Sequence, residues 1–292
     1  MKYTLALAQM NTRLGDVPAN LERHLSLVEE ARAGGADLLV FPELSLTGYA
    51  LQDLTASVAS SPQKDDPAFG PLLEASRKLD LVVGFVDEDA RHRFYVASAY
   101  LSGGEVAHVH HKVYLPTYAM FDEGRYFAWG DCVRAFDTRF GRMGMLICED
   151  FWHASPPYLA WLDGADVLLL MSASPGRGLD EGEAPGSVRW VERVTQAYAN
   201  LFTTFVAHAN RVGVEDGAIF YGGSLVYQPD GELLAQAPYF DEHLLAVDLN
   251  PAQARRARIR LPLLRDERPE LTARTLERIL GAGLRDCPDT AE

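Results

Sequence analysis

The chain has 292 residues, 48% of them hydrophobic and 10% aromatic, which is too apolar for a disordered polypeptide. Asp and Glu number 41 against 27 Lys and Arg, giving a net charge of −14 and a pI near 5.0. With no clustered basic footprint above that acidic background, binding to nucleic acid or to an anionic membrane surface is not expected.

Residues 3–10 alternate, with Tyr3, Leu5 and Leu7 set against Thr4, Ala6 and Ala8, and predict a first strand. The polar NTRLGD that follows suits this strand better than a cleaved signal peptide. A helix is expected over 19–33, with Leu21, Leu25 and Val28 on one face and Gly34-Gly35 ending it. DLLVF at 37–41 is apolar without polar alternation, so it reads as a strand covered on both faces. A helix near 67–79 and a strand over 81–86 come next. Two alternating strands, 94–101 and 105–113, are joined by a Ser-Gly-Gly turn. An irregular, aromatic-rich stretch at 114–131 leads to a strand pair at 132–138 and 143–148. A helix near 156–163, a strand over 165–171 and a Gly/Pro-rich loop over 173–186 follow.

The helix expected over 187–199 has Ser187 as N-cap and Val188, Val191, Thr195 and Tyr198 on one stripe. Strands near 202–208, 219–227, 232–236 and 243–249 complete the body, with GGS at 222–224 as a turn. The basic segment 253–260, QARRARIR, reads as a solvated face or a subunit contact, and a last helix spans 270–281. No repeat or dividing linker is visible, so one domain is expected over 1–250. Residues 251–292 then form a C-terminal extension packing on the domain or on a partner subunit. This order predicts two packed sheets with helices outside. No apolar run approaches the roughly 20 residues of a spanning helix. Three scattered cysteines without a CxxC pair suit a reducing compartment, with the cytoplasm as the default.

Polar residues at strand ends and on long loops tend to carry function. FPELSLTGY (41–49) delivers Glu43 to the tip of a buried strand. HHKVYLPTYAMFDEGRYF (110–127) ends a strand at Lys112, and GMLICEDFWH (144–153) ends one at Cys148, followed by Glu149 and Asp150. Singly, these have bland readings: a core cysteine, a surface or cap carboxylate, a solvated lysine. Together they hold the parts of one reaction. Sulfur attacks as a thiolate, and Glu149 and Asp150 would raise the thiol pKa unless an ammonium offsets them. A buried carboxylate can take the proton, while the lysine and the N–H after the cysteine can hold an oxyanion. That combination suits amide cleavage. His153 offers a rival Cys–His pair. His110 and His111 point to opposite faces of a strand, so they make no metal pair and no metal is expected.

FPELSLTGY, HKVYLPTY with FDEGRYF, and ICEDFW resemble the three signature segments of the nitrilase (carbon–nitrogen hydrolase) superfamily, in the same order, over about residues 3–250. Within it, they look like the glutaminase domains of glutamine-dependent NAD synthetases, which share LPxY, FDExRYF and a cysteine followed by Glu-Asp. The resemblance implies an α/β fold, a four-layer αββα sandwich with two mostly mixed sheets and helices outside, paired with a second subunit through outer helices. It implies Cys148 as nucleophile, Glu43 as general base, Lys112 as oxyanion holder and Glu123 as a second glutamate beside the lysine. Tyr118, Glu149 and Ser174 would contact substrate, Glu149 facing an α-amino group. Glu123 could instead lie at the surface beside Arg125, and Tyr118 could simply pack.

Two departures matter. The glutaminases carry a basic residue a few positions beyond their Ser-Pro, where it can meet a substrate carboxylate. Here SASPGRGLDEGEAPG brings Arg177 early and adds Asp180, Glu181 and Glu183, which counts against glutamine. No SGGxDS-type pyrophosphate loop occurs, and SGGE at 102–105 is a strand turn, so this chain by itself is not expected to adenylate anything. The expectation is a cytoplasmic, cofactor-free hydrolase of a small-molecule amide, working through a thioester. It would act as a homodimer or higher homo-oligomer, with a separate ammonia-using synthetase as a partner if glutamine is the substrate. The alternatives are a nitrilase or N-carbamoyl hydrolase, or a non-catalytic binding or assembly subunit of the same fold.

Overall fold

The computed structural model describes residues 2–177 and 186–281. Asp180, Glu181, Glu183 and Cys287 lie outside the described residues. The chain runs β1 (Tyr3–Gln9), α1 (Val17–Ala33), β2 (Leu38–Val40), α2 (Phe69–Ala75), β3 (Asp80–Glu88), β4 (Phe94–Ser102) and β5 (Glu105–His111). It continues with β6 (Ala135–Thr138), β7 (Gly141–Ile147), α3 (Ser155–Leu162), β8 (Val167–Ser172), α4 (Gly186–Leu201), β9 (Phe205–Asn210), β10 (Val212–Glu215) and β11 (Ala218–Tyr221). The last elements are β12 (Leu225–Tyr227), β13 (Leu233–Gln236), β14 (His243–Leu249), α5 (Ala252–Arg260), α6 (Leu263–Asp266) and α7 (Pro269–Gly281).

Among the described residues the strands form two six-stranded sheets, ordered β14-β1-β2-β3-β4-β5 and β13-β12-β9-β8-β7-β6, plus the β10–β11 hairpin. Each sheet has a parallel centre, β1-β2-β3 in one and β7-β8-β9 in the other, flanked by antiparallel strands. Their inner faces meet through Leu5, Leu7, Val40, Val82, Met145, Leu169 and Phe205. Leu27, Val28, Phe69 and Leu72 cover the first sheet from outside, and Trp161, Ala199 and Phe202 cover the second. This is a four-layer αββα sandwich. The central strands are apolar on both faces because both faces are covered. The carboxyl ends of parallel strands open onto a crevice where polar side chains can converge.

Local chemistry sets the element ends. Asp16 caps α1 by accepting the Ala19 N–H at 3.1 Å, and Gly34 closes it. The buried face of α1 is Asn20, His24, Leu27, Val28 and Ala31, rotated from the expected Leu21–Leu25–Val28 stripe. Hydrogen bonds account for the rotation. Asn20 donates to the Leu46 carbonyl at 3.0 Å and His24 meets the Ser45 hydroxyl at 2.9 Å, so polar groups face inward to hold the segment after Glu43. The expected strand over 219–227 is split into β11 and β12 because Gly222 and Gly223 take φ of 70° and 62°. The β10 strand and the short α6 helix had no distinct sequence signal. The α5 helix packs on the body: Ala254 and Ala257 are buried, and Arg258 bonds Asp166 and the Ala165 carbonyl at 2.6 and 2.7 Å. No helix among the described residues is long and apolar enough to cross a membrane.

Candidate active site

Glu43 lies just past β2, Lys112 just past β5 and Cys148 just past β7, so three strand ends deliver three chemistries to one place. The chain beyond Glu43 turns through Leu44 at φ 48°, and Cys148 itself sits at φ 44° in a tight 3-10 turn over Cys148–Phe151. A left-handed backbone at a non-glycine residue is strained, and such strain persists only where surrounding contacts hold it. Asp150 supplies those contacts. One carboxylate oxygen accepts the Val113 and Tyr114 N–H groups, both at 2.9 Å. The other accepts the Ile147 N–H at 3.0 Å and meets His110 Nε2 at 2.8 Å. The lysine strand and the cysteine turn are thereby fastened to one buried carboxylate.

Lys112 is fully buried. Its Nζ donates to Glu43 at 2.7 Å and to Glu123 at 2.8 Å. The other Glu43 oxygen accepts the Ala173 N–H at 2.8 Å, at the end of β8. Tyr49 donates its hydroxyl to Glu123 at 2.5 Å. Tyr49 is itself held by Glu215, which accepts the Tyr49 and Ala50 N–H groups at 2.7 Å and pairs with buried Arg211 at 2.8 Å. Burial opposes the charge on Lys112, but Glu123 and Glu43 outweigh it and hold the ammonium well above its ordinary pKa. Burial lifts Glu123 to about 7; Lys112 pulls it down and Glu43 pushes it up. Two carboxylates thus share one ammonium.

Cys148 is 8% exposed, and its thiol is pushed well above the ordinary range by burial first, then by the Glu43 charge. Lys112 draws it back without offsetting those effects, and Glu149 adds a smaller push. This differs from the expectation that Glu149 and Asp150 would raise the thiol and an ammonium would cancel them. Asp150 is turned into backbone N–H groups instead. Glu43, bonded to Lys112, is the carboxylate whose charge acts most strongly on this thiol.

At the mouth, Tyr118, 48% exposed, donates its hydroxyl to Glu149 at 2.9 Å. The Arg177 guanidinium lies over the Tyr118 and Phe121 rings, 5.7 and 5.0 Å from their centroids, so its early position in the loop still brings it to the site. Ser174 is buried, its N–H bonded to Asn210 at 2.9 Å. Glu123 meets Lys112, whereas Arg125 lies over the Tyr126 ring. His153 stacks on Tyr114 with centroids 3.7 Å apart and faces Glu149 at 3.4 Å. His110 and His111 bond Asp150 and Asp87 on opposite faces of β5. Among the described residues no group of three or more His, Cys, Asp or Glu is placed to hold a metal ion. Tyr49 and the structural part of Asp150 were missed in the sequence. For Asp150 the only signal was a second carboxylate two positions after the strand-end Cys148.

The chain matches the Carbon-nitrogen hydrolase family over residues 4–259. It is 32% identical over 257 residues to the glutamine-dependent NAD(+) synthetase of Acinetobacter baylyi, covering 88% of this chain and 46% of that protein. To the protein of the same name from Aquifex aeolicus it is 32% identical over 256 residues, covering 87% and 44%. It therefore spans less than half the length of these curated relatives. Among solved structures, the glutamine-dependent NAD+ synthetase of Acinetobacter baumannii superposes with a TM-score of 0.77 at 28% identity, over 87% of this chain and 47% of that one. An amidase from Nesterenkonia sp. AN1 gives 0.77 at 27% identity, over 93% and 96%. A variant of that amidase carries the acetamide moiety of fluoroacetamide added covalently at its active-site cysteine. Matched along most of its length in sequence and in fold, the chain belongs to the carbon–nitrogen hydrolase family.

Proposed function

We propose that this chain hydrolyses a small-molecule amide through a thioester on Cys148. Glu43 takes the thiol proton as sulfur attacks the amide carbon. Lys112 and the backbone N–H of Glu149 hold the oxyanion. The tetrahedral species collapses, the protonated amine or ammonia leaves, and the acyl group stays on sulfur. Water, deprotonated by Glu43 with Glu123 holding Lys112 in place, then releases the acid. The observation carrying this reading is the buried Glu43–Lys112–Glu123 network beside a strand-end cysteine. The covalent adduct on the cysteine of the Nesterenkonia amidase supports the same nucleophile.

Cys148→Ala is expected to lower ammonia release from a panel of aliphatic amides, ureido acids, asparagine and glutamine by at least about 10³-fold. Cys132→Ala, at an exposed thiol, should leave it unchanged. Full activity in the first variant would refute the assignment. Iodoacetamide should label Cys148 with Glu43 taking the thiol proton, and substrate should protect it. The reading also includes a cytoplasmic, reducing location, since the chemistry needs a free thiol. It includes a homodimer or larger assembly, with exposed Trp129, Leu159 and Trp190 as candidate contacts.

A second reading takes glutamine as the substrate, its ammonia passed to a separate synthetase. The Glu149 carboxylate and Arg177 guanidinium flank Tyr118 and offer opposite charges to an amino-acid head group, and the names of the relatives favour the same substrate. A nitrile or N-carbamoyl compound would need the same cysteine. A purely structural subunit has no use for three buried, mutually bonded charges.

A further inference from the structure

Tyr221 ends β11 and is 2% exposed, and although the Ser174 side chain acts on its oxygen, its hydroxyl proton has no acceptor among the described residues. Buried phenols are normally satisfied, so an orphan beside a reaction centre calls for an explanation. Its surroundings place it there. The β11 strand lies against the segment that follows Ser174, through a Pro175–Phe220 bridge and the Gly176 N–H donating to the Ile219 carbonyl at 2.7 Å. Asn210 accepts the Ser174 N–H at 2.9 Å and donates to the Gly222 carbonyl at 2.8 Å, tying Ser174 to the residue after Tyr221. Burial pushes the phenol far above its ordinary pKa, with the Cys148 charge adding to it and Ser174 drawing it back. It therefore stays protonated, a fixed donor. Glu192, whose charge also reaches the Tyr221 phenol, is already taken by the Tyr239 hydroxyl and by Gln236 at 2.7 Å.

We propose that the Tyr221 hydroxyl, beside Ser174, donates a hydrogen bond to an uncharged oxygen on the acyl chain of the substrate. It thereby selects amides that carry a second carbonyl over plain aliphatic amides. The proposal rests on Cys148 being the nucleophile, which puts the acyl chain in this pocket. An uncharged acceptor is specified because a carboxylate here would meet the charge of Glu192, which already acts on the Tyr221 phenol. A site built around such a donor discriminates strongly, since a ligand without the acceptor leaves the buried group unpaired.

The test measures binding by calorimetry in a Cys148→Ala background, so that it does not depend on turnover. The probes are succinamide and glutaramide, their isosteres 4-methylpentanamide and 5-methylhexanamide, and the anionic succinamate. The Cys148→Ala protein is expected to bind at least one diamide about 10-fold or more tighter than its aliphatic isostere and tighter than succinamate. Adding Tyr221→Phe should bring diamide and isostere within about 3-fold of each other. The melting temperature should change little, because the hydroxyl proton has no acceptor among the described residues; a structural donor would lower it on removal. The idea is overturned if the preference is absent in the parent, survives Tyr221→Phe, or favours succinamate. Absence of turnover in the native chain, with the preference present and lost on Tyr221→Phe, would instead count against the nucleophile and leave the donor in place.

Discussion

Glu123 and Glu43 share a single ammonium in a buried site, and the cost of holding two carboxylates there falls on Glu123, lifted from 4.5 to about 7. The folded chain thus binds this proton more tightly than the unfolded one. The stability it contributes is complete below about pH 4.5 and is lost as pH rises through about 7. Glu123→Gln keeps the shape and has no proton to lose, so urea unfolding followed between those limits should show a flatter dependence on pH than the native chain. Activity should move the opposite way in the native protein. Ionised Glu123 is the form that holds Lys112, so kcat/KM is expected to rise through about pH 7. In Glu123→Gln that limb should vanish and the rate fall by about 10²-fold. Cys148, Glu43 and Lys112 were legible as strand-end residues. Tyr49 was not, because nothing in one sequence says that its hydroxyl reaches a glutamate 74 positions away.

At the scale of elements, the cysteine turn and the glutamate strand end are each held by one unobtrusive residue. Asp150 satisfies three backbone N–H groups and a histidine while remaining fully buried. Asp150→Ala strands those donors and should cost roughly 3–5 kcal/mol in urea unfolding. Activity should also be lost, as Lys112 and Cys148 drift apart. Gly84 on β3 faces the other strand end. A Cβ there would sit 2.3 Å from the Pro42 carbonyl oxygen and 2.6 Å from the Leu44 nitrogen, the peptide neighbours of Glu43. Gly84→Ala must therefore push Glu43 out of place, costing about 1–3 kcal/mol of stability and about 10²-fold in kcat/KM; circular dichroism would check that the fold is retained. Asp150 read as a second acid beside the thiol and Gly84 as an ordinary strand residue, because their roles depend on what lies across the sheet.

For the whole molecule, acid is the condition that opposes the fold. His24 and His208 are fully buried, and burial lowers them to about 4 and about 3; His108 is lowered to about 4. Their neutral forms are the folded ones, so the stability they contribute is whole above about 6.5 and lost as pH falls toward those values. This outweighs the single opposite slope from Glu123, and the urea midpoint should drop steadily below pH 6.5. His208 pairs with Leu170 and Leu225, and neither ring nitrogen has a partner. His208→Leu should therefore gain about 1 kcal/mol or more near pH 5 and flatten the curve.

The sequence by itself determined the layering, since doubly apolar strands require cover on both faces, and it marked the glutamate, lysine and cysteine by their place at strand ends. Only the tertiary structure decided how those charges divide one ammonium, which buried residues hold the turn, and that the Tyr221 phenol lies beside Ser174. Periodicity and strand boundaries are properties of neighbours along the chain. Desolvation, hydrogen-bond pairing and close approach are properties of neighbours in space.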